Sequence, residues 1–259
     1  MTDFLDLLAR NAKETVSSGY YECPAQTSTP HASLKKAILE CPRSAIITEI
    51  KSASPSAGTL RKDFEVKKIA EAMEKGGAIG ISVLTEPKHF NGSLKNLIET
   101  RKAVKLPILM KDIIVSRRQL EAASRIGATA SLLIQALFDR RHCECGLEDM
   151  IAKAHSENLE VLLETHSEDE FRSAVSSDAD IVGINNRNLG TLNVDLSVTK
   201  RILEKNEVNG KVVVSESGIK SPGDIRFLTA CGVKAFLIGS AIMLANDIEK
   251  KVEEFVTAV

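Results

Sequence analysis

The sequence predicts a (β/α)8 barrel, or TIM barrel, with extra helices at its N-terminus. The chain has 259 residues, of which 43% are hydrophobic, and barrels of this class typically have about 250 residues. Eight short apolar runs recur along the chain, and segments with helical signals separate them. We therefore expect residues 1–259 to form one barrel domain, with residues 1–44 as an N-terminal helical extension.

The eight apolar runs have the composition of strands that are buried on both faces. Continuous apolar stretches of this length are typical of parallel sheets, because helices cover both faces of such sheets. The predicted strands are AIITEI (45–50), AIGISVL (78–84), PILMKD (107–112), SLLIQA (131–136), EVLLET (160–165), DIVGIN (180–185), KVVVSES (211–217) and AFLIG (235–239).

The segments between these runs carry helix signals. One apolar stripe has the i, i+3, i+4, i+7 spacing of a helix, and it consists of Val66, Ile69, Ala70 and Met73 after the candidate cap Asp63. Three other segments begin with capping signals, namely Ser116 with Gln119, Ser167 with Glu170, and Ser221 before Pro222.

The first 44 residues contain two further helical patterns. One consists of Phe4, Leu7 and Leu8, and the other of Leu34, Ala37, Ile38 and Cys41. A segment of this length rarely forms an independent core. We expect both helices to pack on the barrel near its mouth.

A doubly wound parallel sheet is the main alternative fold. That architecture usually has fewer strands and a glycine-rich phosphate loop after its first strand. Here KSASPSAG (51–58) follows the first strand and lacks the GxGxxG pattern. The barrel is therefore favoured.

Composition excludes several classes of partner. The formal net charge is −1, from 34 basic and 35 acidic residues, so no clustered basic face for nucleic acid is expected. No apolar run reaches the roughly 18 residues of a membrane span. The N-terminus MTDFLDLLARNAKE has acids where a secretory signal carries positive charge, and the cysteine count is odd at 5. We expect a cytoplasmic protein with free thiols and with neither nucleic-acid nor membrane partners.

Charged and polar residues interrupt the apolar runs at their C-terminal ends, where barrel enzymes place their active sites. They are Glu49 and Lys51, Lys111, Glu164, Asn185 and Arg187, and Glu216 and Ser217. Alternate residues of a strand share a face, so Glu49 and Lys51 point the same way. Buried charges are costly unless they are paired, and three glutamates, two lysines and one arginine compensate one another at one mouth.

The last two predicted strands end in turns suited to an anion. Barrels often hold a phosphate between these loops and a short helix. Ser217-Gly218 and Gly239-Ser240 follow these strands. Glycine allows close approach of the backbone, and a helix that begins near Ser240 would direct free N–H groups at the anion.

Six segments follow one another along the chain in this order: EIKSASPSAG (49–58), HFNGS (89–93), PILMKDIIV (107–115), GINNRNL (183–189), SESGI (215–219) and FLIGSAIM (236–243). Together they resemble the signature segments of indole-3-glycerol-phosphate synthases. The resemblance extends from about residue 30 to 250, and the first and third segments together are its most specific part.

The resemblance implies a carboxy-lyase of tryptophan biosynthesis that needs no metal or organic cofactor. The substrate is the phosphosugar-anthranilate 1-(2-carboxyphenylamino)-1-deoxyribulose 5-phosphate. Its aromatic ring attacks the ribulose carbonyl, CO2 leaves, and water is then lost to give indole-3-glycerol phosphate. A complex with other enzymes of the pathway is compatible with this resemblance.

The resemblance also implies roles for individual residues. Lys111 is similar to the general acid that protonates the carbonyl oxygen, and Glu164 to the residue that serves later proton removal and dehydration. Lys51 is placed like the lysine that contacts the substrate carboxylate and assists proton transfer. The lysines lower each other's pKa and neighbouring glutamates raise it, so the sequence leaves this balance open.

The remaining positions of the resemblance concern binding and orientation. Glu49 and Glu216 correspond to residues that position the lysines and bind sugar hydroxyls, and Asn185 and Arg187 to the pair that orients the anthranilate and supports Glu164. Phe90 resembles an aromatic wall of the anthranilate pocket. The phosphate-binding set is Ser54, Ser217, Gly218, Gly239 and Ser240.

The chain departs from the family pattern at three places. Ile113 stands where many members have phenylalanine, and Gln135-Ala136 ends the fourth run where some members carry a lysine. The segment LFDRRHCECG (137–146) is unusual. Its His142, Cys143 and Cys145 are only a weak signal for a metal site, because all three lie in one short loop and no distant residue completes the set. Surface thiols are therefore the favoured interpretation.

Other functions remain open from the sequence. Sister phosphate-binding barrels, such as phosphoribosylanthranilate isomerase or the tryptophan synthase α subunit, are not expected to place lysines at the ends of both the first and third strands. A Schiff-base aldolase would be expected to carry a lysine on the sixth strand, where this chain has Asn185. A non-catalytic phosphosugar-binding barrel has no need for the charged mouth.

Overall fold

The computed structural model describes residues 3–22, 32–54, 58–59, 65–188, 190 and 192–259. Eight parallel strands form a closed barrel in which the first strand pairs with the last. The strands are β1 (Ala45–Ile50), β2 (Gly80–Leu84), β3 (Ile108–Lys111), β4 (Ala130–Ile134), β5 (Glu160–Thr165), β6 (Ile181–Asn185), β7 (Val212–Glu216) and β8 (Ala235–Ile238). The predicted barrel is confirmed, and the doubly wound alternative is wrong.

Helices precede, connect and follow the strands, and none of the described helices has the length and apolar character needed to cross a membrane. They are α1 (Phe4–Ser17), α2 (Leu34–Leu39), α3 (Val66–Lys75), α4 (Leu94–Ala103), α5 (Arg117–Arg125), α6 (Gln135–Asp139), α7 (Leu147–Ser156), α8 (Glu168–Ser176), α9 (Ser197–Lys205), α10 (Pro222–Ala230), α11 (Ser240–Met243) and α12 (Ile248–Val256). A short antiparallel hairpin, Ala53–Ser54 with Gly58–Thr59, follows β1.

The capping signals act largely as predicted. Ser116 forms a full capping box at α5, and Ser221 forms one at α10 with proline in the first turn. The Ser167 side chain caps α8, but the Glu170 carboxylate accepts the N–H of His166 at 2.8 Å. Helix α3 begins after Glu65 without a side-chain cap, and Asp63 lies outside the described residues.

Alternation along the strands divides the core into two layers. The inward side chains of β1, such as Ile47, pack with those of the other strands inside the barrel, whereas Ile46 and its counterparts pack against the helices. The polar residues at the strand ends continue the inward set. The fourth strand ends at Ile134, two residues earlier than predicted, because Gln135 begins α6.

Helix α1 lies at the C-terminal mouth of the barrel. Phe4, Leu7 and Leu8 lie on this helix as predicted. Its buried face consists of Leu5, Leu8, Ala9, Ala12 and Thr15, whereas Leu7 is 39% exposed. The guanidinium of Arg140 binds Asp3 at 2.6 Å and Asp6 at 3.1 Å. These ion pairs join the start of α1 to the loop that follows α6.

Helix α2 lies at the opposite end of the barrel, so the expectation that both N-terminal helices pack near the mouth is wrong for α2. Its N-terminus meets the carboxylate of Glu160, the first residue of β5. Glu160 accepts the N–H groups of Leu34 at 2.6 Å and Lys35 at 3.1 Å, and also the hydroxyl of Ser33. A carboxylate at a helix N-terminus satisfies free donors and complements the helix dipole.

We predict that Glu160→Ala lowers the free energy of unfolding by about 1–3 kcal/mol, the range for buried donors left without a partner. Urea denaturation measures this change. Glu204→Ala is the matched control, because Glu204 is exposed and its ion pair with Lys200 is long, at 3.6 Å. This substitution should change the free energy of unfolding by less than about 0.5 kcal/mol. Equal changes in the two variants would contradict this role for Glu160.

Candidate active site

A lysine surrounded by three carboxylates occupies the centre of the barrel mouth. The ammonium nitrogen of Lys111 lies 2.5 Å from Glu216 Oε2, 3.7 Å from Glu164 Oε2 and 3.8 Å from Glu49 Oε2. Lys51 binds the other oxygen of Glu49 at 2.7 Å. Both predicted lysines therefore lie at the same end of the barrel and share one carboxylate.

The carboxylates decide the charge of Lys111. Although burial lowers the pKa of Lys111, the carboxylates of Glu216, Glu164 and Glu49 outweigh it and hold that pKa well above its ordinary value. The balance that the sequence left open therefore favours the ammonium form.

The carboxyls of the cluster have different pKa values. Burial raises the pKa of Glu216, and the nearby Glu164 adds to this rise, while Lys111 opposes it. For Glu49 the effect of burial is outweighed by Lys51 and Lys111, which hold the pKa of Glu49 below its usual range. Such separation of pKa values among neighbouring carboxyls is typical of sites that transfer protons.

Strand β6 supports Glu164 from the side. Asn185 Nδ2 donates to Glu164 Oε1 at 2.8 Å, and Asn185 Oδ1 accepts the backbone N–H of Arg187 at 2.9 Å. The Arg187 guanidinium donates to the carbonyl of Leu192 at 3.1 Å, which bends the loop after β6 back toward the mouth.

Two glycines on the inner face make room for the cluster. A Cβ at Gly183 would overlap the Oε1 atom of Glu216, and a Cβ at Gly239 would overlap the side chains of Glu49 and Lys51. The same Oε1 atom of Glu216 is buried and has no hydrogen-bond partner. Any side chain at either glycine would displace the charged groups.

A cavity of about 730 Å³ opens above the cluster, a volume suited to a small organic ligand. Among the described residues its lining includes nearly all of the predicted site residues, namely Glu49, Lys51, Phe90, Lys111, Glu164, Asn185, Arg187, Ser217, Gly218, Gly239 and Ser240. Glu216 is fully buried beneath it.

One side of the cavity is apolar. Phe90 lies there with Ile113 and Ile134, so the departure from the family pattern at Ile113 leaves an aliphatic side chain in this wall. Helix α1 adds Phe4 and Leu8, which we did not assign to the site from the sequence. Their apolar spacing indicated burial but could not identify the surface that buries them.

The loop that carries Phe90 is held by a buried carboxylate that the sequence analysis missed. Glu86 Oε2 accepts the N–H groups of His89 at 2.7 Å and Phe90 at 3.0 Å, and Glu86 Oε1 accepts that of Lys88 at 2.9 Å. Its position just after β2 was the available signal, since polar residues follow the other strands too.

The other side of the cavity is formed by the ends of β7 and β8. Ser217 and Gly218 have positive φ values of 66° and 87°, and α11 begins at Ser240 after Gly239. Free backbone N–H groups in such turns suit an anion. The side chain of Ser54 lies outside the described part of the structure.

The unusual loop after α6 contacts α1. His142 Nε2 lies 2.9 Å from Asp6 Oδ1, and the Cys143 thiol, whose pKa burial raises to about 12, points at the carbonyl of Ile114. Within the described ranges, no three potential metal-ligating side chains come together in a group that could hold a metal ion.

Comparison with known proteins identifies a family. Residues 8–255 match the family model described as indole-3-glycerol phosphate synthase. A curated indole-3-glycerol phosphate synthase from Methanocaldococcus jannaschii is 46% identical over 82% of this chain and 77% of its own length. One from Neisseria meningitidis serogroup B is 40% identical over 97% of this chain and 98% of its own.

Solved structures with low sequence identity share the fold. A thiamine phosphate pyrophosphorylase from Pyrococcus furiosus superposes with a TM-score of 0.60 at 20% identity, over 87% of this chain and 97% of that one. An N-acetylmannosamine-6-phosphate 2-epimerase from Clostridium perfringens has a TM-score of 0.60 at 14% identity, over 84% and 93% of the two chains.

We predict that Glu216→Gln lowers the pKa of Lys111, because it removes the nearest of the three negative charges that raise this pKa and keeps the shape of the side chain. The carbon-13 chemical shift of the Lys111 ε-methylene, followed as a function of pH, measures the change. Glu71→Gln is the control, since Glu71 pairs with the exposed Lys67 at 3.9 Å and should leave Lys111 unaltered. An unchanged titration of Lys111 in Glu216→Gln would show that Glu216 does not set its charge.

Proposed function

Because the chain belongs to the indole-3-glycerol phosphate synthase family, we propose that its barrel mouth closes the indole ring with Lys111 as the general acid. The chain is a carboxy-lyase of tryptophan biosynthesis. The observation that carries the proposed role is the position of the Lys111 ammonium, which lies within 3.8 Å of three carboxylates on the floor of the cavity.

The substrate fits the two-sided cavity. The apolar side with Phe90, Phe4 and Leu8 suits the anthranilate ring, and the glycine turns suit the 5-phosphate. A substrate bound in this way would have its ribulose carbonyl between the two sides, near Lys111. This arrangement supports an anthranilate wall at Phe90 and a phosphate grip at Gly218, Gly239 and Ser240, with Ser217 beside it.

The first chemical step needs an acid at the carbonyl oxygen. The ring carbon that bears the carboxylate attacks the ribulose carbonyl carbon, and the oxygen takes a proton from Lys111 as the new carbon–carbon bond forms. An ammonium group beside three carboxylates stays protonated at neutral pH and so has a proton to donate. CO2 then leaves, and its bonding electrons remain in the ring system.

Dehydration needs a base and an acid on either side of the new ring. Glu164, oriented by Asn185, removes a proton from the methylene carbon between the nitrogen and the former carbonyl carbon. The hydroxyl takes a proton from Lys51 and leaves as water. Lys51 lies beside Glu49, where it contacts the substrate carboxylate and assists proton transfer. Glu49 and Glu216 position the lysines, and Arg187 orients the anthranilate.

The family match over 8–255 favours this function over the sister barrels and over a non-catalytic barrel. We propose that the enzyme works in the cytoplasm, where the thiols remain reduced. An assembly with other enzymes of the pathway stays a prediction.

We predict that Lys111→Met lowers turnover by the ~10²–10⁴-fold of a lost general acid and leaves the protein folded. Methionine fills the space without a proton, and the distant phosphate site still provides binding. Indole fluorescence that appears on mixing with the substrate measures turnover. Lys95→Met, at an exposed position on α4, is the control with normal turnover. Near-normal turnover with weakened binding would make Lys111 a binding residue.

We predict that inorganic phosphate protects the protein against thermal unfolding and that Gly239→Glu abolishes this protection, because the added side chain displaces Glu49 and Lys51 and brings a further negative charge to the anion site. At about 100 times the Kd, one bound phosphate stabilises by about 2.7 kcal/mol. Gly146→Glu is the matched control, because a Cβ at Gly146 meets open space, and it should keep the protection. If phosphate protects Gly239→Glu as it does the unaltered protein, the anion site is elsewhere.

A further inference from the structure

Asn186 is a buried polar residue that does not line the cavity. It follows Asn185 in the chain, so its side chain points to the outer face of β6, toward α9, and it is only 1% exposed. Its Nδ2 group donates to Ser215 Oγ at 2.9 Å, to the carbonyl of Glu216 at 3.0 Å and to that of Ser217 at 3.2 Å.

The oxygen of the same amide is also used. Asn186 Oδ1 accepts the hydroxyl of Thr199 at 2.8 Å and its backbone N–H at 3.3 Å, and the hydroxyls of Thr199 and Ser215 lie 3.0 Å apart. Side chains from β6, β7 and α9 thus form one closed hydrogen-bonded group, which fixes the orientation of the amide.

The segment that this amide holds has an unfavourable backbone conformation. Ser217 has a φ of 66°, in the left-handed region that residues other than glycine rarely adopt. Such a conformation persists only where the surroundings impose it. The side-chain amide of Asn186 binds the carbonyls of Glu216 and Ser217. These two carbonyls flank the N–Cα bond whose rotation is φ of Ser217, so Asn186 is placed to impose this conformation.

The same residue anchors the loop that follows β6. The carbonyl of Asn186 accepts the N–H of Asp195 at 3.0 Å, and Arg187 forms an antiparallel bridge with Val194. Val194 in turn packs so closely on Gly218 that a Cβ added at Gly218 would overlap the Val194 side chain. Asn186 thus joins the base of the Arg187 loop to the base of the Ser217–Gly218 turn.

We propose that Asn186 is a positioning residue that keeps Ser217 in its left-handed conformation and so keeps the anion-binding turn formed before substrate arrives. A preformed turn spares the ligand the free energy of ordering it. This inference rests on the proposed phosphate site. It assigns to Asn186 an effect on binding of the phosphate end and not on the proton transfers.

A double-mutant cycle tests the proposal, with Asn186→Ala, Ser217→Gly and the two combined. The measurements are the affinity for inorganic phosphate by calorimetry, and kcat and KM for the substrate. We expect Asn186→Ala to weaken phosphate binding and raise KM roughly tenfold, the equivalent of one strained residue, with a smaller change in kcat. In the Ser217→Gly background, Asn186→Ala should change phosphate affinity and KM by a markedly smaller factor, because glycine adopts positive φ unaided.

A purely structural role for Asn186 would not be relieved by glycine at 217, so equal losses in both backgrounds would overturn the proposal. So would unchanged phosphate affinity and KM in Asn186→Ala. Asn206→Ala, at the C-terminal end of α9, is the control with normal affinity and KM. If Asn186→Ala alone fails to fold, Thr199→Val replaces it in the same cycle, because it removes one hydroxyl of the group and keeps the side-chain shape, and the same two outcomes decide.

The failure of the proposed phosphate site would look different. In that case the unaltered protein itself would show no calorimetric binding of phosphate. The double-mutant cycle measured through KM would then test only whether Asn186 positions Ser217, because Ser217 and Arg187 line the cavity in either case.

Discussion

The ammonium of Lys111 among three carboxylates is the interaction on which the rest of the mouth depends. A lysine at the end of a buried strand must find negative charge, because an unpaired buried charge is costly. Glu49, Glu164 and Glu216 supply that charge, and Lys51 neutralises part of their excess. Breaking one member leaves the others uncompensated, so the charged residues act as a unit. The glycines of β6 and β8 belong to the same unit, since they leave space for its side chains.

The cavity above this cluster has walls and a floor of different origin. Its apolar wall comes partly from α1, a helix outside the barrel proper, and the turns that we propose to bind the anion follow the last two strands. Only the charged floor is built on the strand ends themselves. Helix α1 is held by its buried apolar face, by ion pairs with Arg140 after α6, and by the segment that follows it, where the Tyr21 hydroxyl donates to Asp112 at 2.9 Å. The wall therefore depends on the docking of α1, whereas the floor depends on barrel closure.

Buried polar residues behind the cavity hold the loops that line it. Glu86 gathers the N–H groups of the Phe90 loop, and Asn186 holds the carbonyls of the Ser217 turn. Both use a side chain to bind backbone groups of a loop or turn that follows a strand. A rigid barrel with such supports can position loop residues accurately. A site whose residues come from several strands requires this accuracy.

Local patterns in the sequence determined the strands, the helices and the residues of the charged mouth, because side-chain alternation and helical periodicity are properties of neighbouring residues. The rule that barrel sites lie at strand ends then placed Lys51, Lys111 and Glu164 together. Only the tertiary structure decided that α1 and α2 lie at opposite ends of the barrel, since an apolar stripe shows that a face is buried but not what buries it. The charge of Lys111 likewise depended on distances to groups up to 105 residues away, and the role of Asn186 on contacts between β6, β7 and α9. Such contacts arise from strand register and closure, which no local stretch of sequence specifies.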